Sequence, residues 1–502
     1  YMANIETVSA QGKQAIVLIP EIALTYQTVK RFYRRFGNRV SIMNSKLSQG
    51  EKYDQMLRAR DGEIDIMIGP RSALFTPFRN LGLIVIDEEH ENSYKSESVP
   101  KYHARETAIA RAGMEGASVI LGSATPSVES YLHAQRGDYV LWKLCKRANP
   151  KSTMARVHVE DLRKELKEGN RSLFSRRLRE MMEERLKRGQ QIMLFLNRRG
   201  YAGFVSCRSC GHALKCPHCD VSLTAHQGRK LVCHYCGYQM PMPKVCPDCG
   251  SPYIGTFGTG TQKVEAMVRQ EFPQARVLRM DMDTTRRKNS YEEILSAFSN
   301  GEADILIGTQ MIVKGHDFSN TTLVGILAAD MSLYANDFRA SERTFQLLTQ
   351  AAGRAGRGEL AGDVVIQTYN PEHYSIVTAA AQDYESFYEQ EIAYREFLKY
   401  PPMCQMMVIF VGCDELDIGE AAANMLGSQM RTQFAEQAYD IIGPSQAAIT
   451  KIKDVYRHVI YIKHKDYQAL VRAKDHLEQY MEGKGIFQKA MVSFDFNPMI
   501  GY

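Results

Sequence analysis

Nowhere in the 502 residues does an apolar run exceed the length of a strand, which excludes a helix that crosses a bilayer. The opening residues, Tyr1-Met2-Ala3-Asn4-Ile5, show no charged stretch followed by an apolar one, so no secretion signal is visible. No internal repeat is long enough to indicate a solenoid, and no low-complexity tract appears. A strong excess of one charge is also missing: 63 Lys and Arg stand against 57 Asp and Glu, a net +6. That balance is compatible with nucleic acid without singling it out. With 44% hydrophobic and 24% charged residues, the composition is that of a soluble protein. Its length accommodates roughly three or four domains.

Cysteine is not scarce. Of eleven, eight form Cys-x-x-Cys pairs: Cys207/Cys210, Cys216/Cys219, Cys233/Cys236 and Cys246/Cys249. In a chain without a secretion signal this argues against a disulfide framework. A pair at this spacing lets two thiolates grip one metal from a tight knuckle, so four pairs within 43 residues predict two tetrahedral zinc sites. The 13-residue gap between Cys219 and Cys233 favours a nested arrangement, with the outer pairs sharing the second ion. Interleaved pairing is the competitor. His212, His218, His226 and His234 are not expected as ligands, because thiolates already fill both shells. Cys145, Cys404 and Cys413 read as buried small hydrophobes.

Strands are readable at 14–19, 64–68, 83–86 and 118–121, interleaved with helical stretches, the parallel α/β pattern. A polar stretch over 146–170 reads as the connection to a second α/β unit, with strands at 191–196, 276–280, 304–307, 323–327 and 363–367. The cysteine-rich segment interrupts this second unit after its first strand. Beyond Tyr400-Pro401-Pro402, strands at 405–412, 456–463 and 487–496 and helices near 416–436 and 466–482 predict a small α+β domain. The expected boundaries are 1–148, 149–205, 206–252, 253–399 and 400–502.

The run Leu81-Gly-Leu-Ile-Val-Ile-Asp87-Glu88-Glu89-His90 ends a buried strand in carboxylates. Ligands in parallel sheets bind beyond the carboxyl ends of strands, and Mg²⁺ with nucleotide phosphates is the usual counter-charge. Asp87 then holds Mg²⁺ through its water shell, and Glu88 orients and deprotonates the attacking water. An acidic, solvated turn is the alternative. The second unit carries Gln346-Leu-Leu-Thr-Gln350-Ala-Ala-Gly353-Arg354-Ala-Gly356-Arg357-Gly358. Spacing of three puts Arg354 and Arg357 on one face of a helix end, where guanidinium forks neutralise charge on a γ-phosphate.

With these motifs the chain resembles the superfamily 2 helicases, and among them the primosomal replication-restart branch. Val17-Leu-Ile-Pro20-Glu21 is similar to motif Ia, Gly69-Pro70-Arg71-Ser72-Ala73 to Ib, and Asp87-Glu-Glu-His90 to II. Gly122-Ser123-Ala124-Thr125-Pro126 is similar to III and Phe195-Leu-Asn197-Arg198-Arg199-Gly200 to IV. Gly308-Thr309-Gln310-Met311 through Lys314-Gly315-His316 is similar to V, and the Gln350–Arg357 string to VI. The resemblance implies two RecA-like lobes, a two-zinc insertion in the second, and a C-terminal DNA-binding domain. It implies Mg²⁺ with ATP as cofactor, His90 and Gln350 as further catalytic residues, and Gly315 at the nucleotide. It also implies a 3'-to-5' DNA helicase that recognises stalled or repaired forks and starts primosome assembly. The partners would be single-stranded and forked DNA, single-strand DNA-binding protein through its acidic tail, and primosome loading proteins. The implied setting is the bacterial cytoplasm and nucleoid, with no membrane contact and a monomeric state.

On the same resemblance, Arg71, Ser72, Gln310 and Lys314 touch DNA phosphates, a salt-sensitive and sequence-blind contact. The stretch from Tyr94-Lys95 through Tyr102 to Arg105 mixes aromatics with cations and looks like a DNA-sensing loop, with Tyr94 and Tyr102 placed to stack on bases. The family's Gly-x-x-x-x-Gly-Lys-[Ser/Thr] loop does not occur in the 502 residues, nor do the family's N-terminal DNA-binding domains. The expectation is therefore a fragment without ATPase activity, with an unpaired central strand in its first unit. A zinc scaffold that binds DNA or protein without catalysis is the opposing reading.

Overall fold

The computed structural model describes residues 1–20, 26–146, 154–196, 204–226, 230–256, 260–281, 283–285, 290–312, 318–356, 360–435, 437–486 and 489–501. Two units divide the chain, residues 1–139 and 140–502. In the first, strands β1 (Gln14–Leu18), β2 (Val40–Ile42), β3 (Ile66–Gly69), β4 (Leu81–Asp87) and β5 (Ser118–Gly122) run parallel in the order β2-β3-β1-β4-β5. Ile16, Leu18, Ile84 and Ile86 point into one core, while Ala15, Val17, Leu83 and Val85 point into the other. Burial on both faces is why these strands read as unbroken apolar runs. The expectation of an unpaired central strand is corrected: β1 pairs with β3 on one side and β4 on the other.

In the second unit, β6 (Arg156–Asp161) and β7 (Gln191–Leu196) precede the cysteine-rich insertion. The insertion holds β8 (Val205–Cys207), β9 (Thr224–His226), β10 (Lys230–Val232), β11 (Gln239–Pro241) and β12 (Ile254–Thr256). Then come β13 (Val277–Met280), β14 (Ile305–Gly308), β15 (Thr321–Leu327) and β16 (Asp363–Thr368). Parallel strands in the order β13-β14-β7-β15-β16-β6 form its main sheet. Part of the stretch expected as a connection, 156–161, is instead its edge strand. Its sequence Arg-Val-His-Val-Glu-Asp is only half-buried, so it lacks the apolar run that marks its neighbours.

The C-terminal strands β17 (Gln405–Cys413), β18 (Asp440–Ile452), β19 (Val455–His464) and β20 (Met491–Phe496) pair antiparallel in the order β18-β19-β17-β20. Met407, Ile409 and Val411 face the helices Leu416–Gln433 and Tyr467–Lys484. Met406, Val408 and Phe410 face a core shared with Cys216, Cys219, Cys233 and Tyr235 of the insertion and Phe338 of the main lobe. Among the described residues, no helix is long and apolar enough to cross a membrane.

Candidate functional site

Asp87 ends β4, and the backbone turns sharply after it. Glu88 takes a left-handed conformation (φ +49°), which for a residue with a side chain costs on the order of 1–2 kcal/mol. The turn leaves the Glu88 carboxylate one-third exposed. Burial raises the Asp87 pKa, against the Tyr1 hydroxyl that donates to its Oδ1 at 2.9 Å, the Glu88 N–H and the nearby His90. His90 is buried, with Nδ1 2.7 Å from Ser123 Oγ and 3.7 Å from Glu88 Oε2. Ser123 Oγ in turn accepts the Thr125 N–H at 3.0 Å. The acidic strand end and the loop after β5 are thus tied by side chains.

Glu89, which the sequence reading gave no role, is 1% exposed. Its carboxylate pairs with Arg105 at 3.0 Å and accepts the Ser127 N–H at 2.6 Å and the Ser130 hydroxyl at 2.9 Å. Ser127 caps the helix Val128–Gln135, so Glu89 holds that helix start against the acidic turn. Its nearest sequence signal was the Ser127-x-x-Ser130 cap.

The loop that follows differs from the sequence expectation. Tyr94 is 1% exposed, and its hydroxyl is shared between the Asp87 carbonyl (2.7 Å) and the Leu18 carbonyl (3.0 Å). A ring so enclosed cannot stack on a base. Arg105 is spent on Glu89, Ser127 and Ser130 rather than on DNA, and Lys95 is also buried. An apolar-plus-cation string reads alike whether it faces water or core, which is why periodicity did not separate the cases. Arg71 donates to the carbonyls of Ser93 (3.0 Å) and Lys95 (2.6 Å), pinning the loop on either side of Tyr94. Ser72 is exposed and Tyr102 half-buried.

In the second unit, Gln350 lies in the last turn of the helix Ala340–Ala352, and Arg354 follows it, buried. Burial lifts the Tyr291 hydroxyl to about 12, against the pull of the nearby Arg354 guanidinium. Gln310 is buried beyond the end of β14. Arg357, Lys314 and Gly315 lie outside the described residues.

The cysteines gather in two groups, Cys207/Cys210/Cys246/Cys249 and Cys216/Cys219/Cys233/Cys236, the nested pairing. Sulfur separations of 3.7 Å (Cys207–Cys249), 3.6 Å (Cys210–Cys246) and 3.6 Å (Cys216–Cys236) match a tetrahedral zinc shell. With Zn–S bonds of about 2.3 Å, such a shell places sulfurs about 3.8 Å apart. The charge chemistry agrees. The Cys219 and Cys233 thiols hold Cys216 well below the ordinary thiol range, while Cys219 is driven far above it. A divalent cation removes that competition. His226 and His234 bond each other instead, Nε2 to Nε2 at 2.9 Å, and burial holds His234 down to about 4. Of the lone cysteines, Cys404 and Cys413 are buried as expected, while Cys145 is exposed.

Family comparisons agree with this layout. The DEAD/DEAH box helicase family matches residues 1–133, the PriA DNA helicase Cys-rich region 216–241, the helicase conserved C-terminal domain 254–359, and the primosomal protein N C-terminal domain 396–499. The chain is 50% identical to the replication restart protein PriA of Bacillus subtilis (strain 168), over 99% of its own length and 62% of that protein. Against the Synechocystis protein of that name it is 44% identical, over 93% of this chain and 57% of the relative. Against the Treponema pallidum protein it is 38% identical, over 98% of this chain and 74% of the relative. The chain thus spans about three fifths of the length of the first two relatives.

Proposed function

This chain belongs to the PriA family of replication restart proteins, and from that membership we propose that it supplies the motor, zinc-bearing and C-terminal parts of an ATP-dependent DNA helicase. The observation that carries the reading is the Asp87–Glu88 pair beyond β4, with His90 joined to Ser123. Asp87 would hold Mg²⁺ bound with ATP, and that ion supplies charge neutralisation at the phosphates. Glu88 orients the attacking water and takes its proton, and His90 relays the state of the turn to the Ser123 loop. Arg354 and Arg357 neutralise charge on the γ-phosphate in the transition state.

Arg71, Ser72, Gln310, Lys314 and Tyr102 then meet single-stranded DNA, mostly at phosphates. Membership further supports 3'-to-5' movement, recognition of stalled forks and primosome assembly with loading proteins and single-strand DNA-binding protein. It also supports action as a monomer at the bacterial nucleoid. The test is ATP turnover, with and without single-stranded DNA, by protein of the relatives' full length. Glu88→Gln should abolish stimulated turnover while ATP still binds; undiminished turnover would remove Glu88 from the chemistry.

A second reading applies to the 502 residues taken by themselves. They contain no Gly-x-x-x-x-Gly-Lys-[Ser/Thr] string to wrap the β-phosphate, which supports a zinc-bearing DNA-binding scaffold with no turnover of its own. Turnover by this chain above its Glu88→Gln control would overturn that reading.

A further inference from the structure

Phe75 belongs to none of the residues assigned so far. It closes the short turn Arg71–Phe75 after β3, and 52% of it is exposed while Leu74 and Phe78 beside it are buried. Its exposed sequence neighbours are Ser72, Pro77, Arg79 and Asn80, of which Pro77 alone is apolar, so the ring is not part of a broad apolar face along the chain. It meets the Tyr102 ring edge-on, with centroids 5.1 Å apart and planes at 79°.

Tyr102 is fixed in that pose. Its carbonyl accepts the Ser96 N–H at 2.8 Å, its N–H donates to the Pro100 carbonyl at 2.9 Å, and its hydroxyl receives a hydrogen bond from Arg71. Arg71 is itself anchored on the carbonyls of Ser93 and Lys95. Two aromatic rings therefore stand preordered beside a guanidinium, so little side-chain entropy is lost when a ligand meets them. An aromatic face next to a cation suits an unpaired base and its phosphate, because every base offers a π-face.

We infer that Phe75 and Tyr102 form a stacking platform for one base of single-stranded DNA. Tyr102 keeps the stacking role expected from the sequence, and Phe75 takes the place expected there for Tyr94. The inference rests on the DNA-binding reading above and deepens it by separating base contact from phosphate contact. The platform is blind to sequence and contributes affinity that salt does not screen.

The experiment measures binding of full-length protein to an oligo-dT strand and to a base-free deoxyribose-phosphate strand of the same length, over a range of salt. Phe75→Ala should weaken oligo-dT binding roughly tenfold or more, and Phe75→Trp should restore it. On the base-free strand the three proteins should bind alike. The slope of log affinity against log salt should not change, because no phosphate contact is removed. Unchanged oligo-dT binding by Phe75→Ala, or an equal loss on the base-free strand, would overturn the platform and leave DNA binding standing. Absence of salt-dependent binding by the unaltered protein would instead overturn the DNA reading, and the platform with it.

Discussion

Tyr400 donates its hydroxyl to the Cys219 carbonyl at 3.0 Å, so the chain entering the C-terminal sheet is bonded to a metal-binding knuckle of the insertion. Its ring also lies flat on Phe338, centroids 4.5 Å apart. Ser445 Oγ bonds the carbonyls of His234 and Tyr235 from the far side of the same core.

Tyr400→Phe keeps the stack and deletes one buried hydrogen bond, so it should cost about 1–2 kcal/mol. Tyr400→Ala should cost about 3–5 kcal/mol, because the cavity opens in a core common to three parts of the chain. Denaturant unfolding of the zinc-loaded protein checks both. Loss confined to the insertion, with the C-terminal sheet still protected from hydrogen exchange, would contradict the shared core.

Two zinc ions per chain should be found by metal analysis, and they should leave in two steps. Cys249 of the outer group is exposed, whereas Cys216, Cys219 and Cys233 of the inner group are buried. A chelator with a chromogenic readout should take the outer ion first. Cys246→Ser should remove the fast phase and Cys216→Ser the slow one. One kinetic phase, or one ion, is the contrary result.

Glu89→Gln or Arg105→Met should each destabilise residues 1–139 by about 3–5 kcal/mol, since each strands a buried charge. The double change Glu89→Leu with Arg105→Met should recover much of that loss. Asp454→Ala, which breaks an exposed pair with Lys451, should cost less than about 0.5 kcal/mol. A double-mutant cycle measured by thermal unfolding separates the cases.

Asp330 accepts hydrogen bonds from Thr368 Oγ and the Tyr369 N–H, both at 2.9 Å, yet burial still lifts its carboxyl to about 6. A folded-state value above the unfolded one means the folded chain holds the proton more tightly. The protonated form therefore favours folding below the unfolded pKa, and that contribution, about 3 kcal/mol, is lost as pH rises from about 4 to about 6. Asp330→Asn should remove this slope. The difference between the two proteins, measured at each pH, cancels acid loss of zinc. Parallel curves across the window would show that Asp330 titrates normally.

Arg357→Ala in full-length protein should leave ATP binding nearly intact and cut hydrolysis roughly 10³-fold or more. Equal losses in both would make it a ground-state contact.

The α/β lobes were legible because strands buried on both faces leave unbroken apolar runs, as in β4 and β7. β6 and β18 were not, because edge strands with one wet face carry Arg, His, Gln and Lys where a run would need Ile or Val. The zinc groups were legible from spacing alone. The direction of Tyr94 and Arg105 was not, because a tyrosine hydroxyl that reaches the Leu18 carbonyl and a guanidinium that reaches Ser127 and Ser130 depend on contacts distant in sequence. Phe75 was hidden for the opposite reason: within Ser-Ala-Leu-Phe nothing marks which apolar side chain stays in water.

The strands that lead into and out of the insertion, β8 and β12, pair with each other, Cys207 opposite Ile254 and Val205 opposite Thr256. Topologically the main lobe sees a closed stalk, the kind of junction at which a gene segment can be spliced in or exchanged without rethreading the sheet. Energetically the graft is not free, because Leu231, Cys233 and Tyr235 complete the inner face of the C-terminal sheet. A chimera that swaps residues 205–256 between distant relatives should therefore fold well only when β17–β20 travel with them.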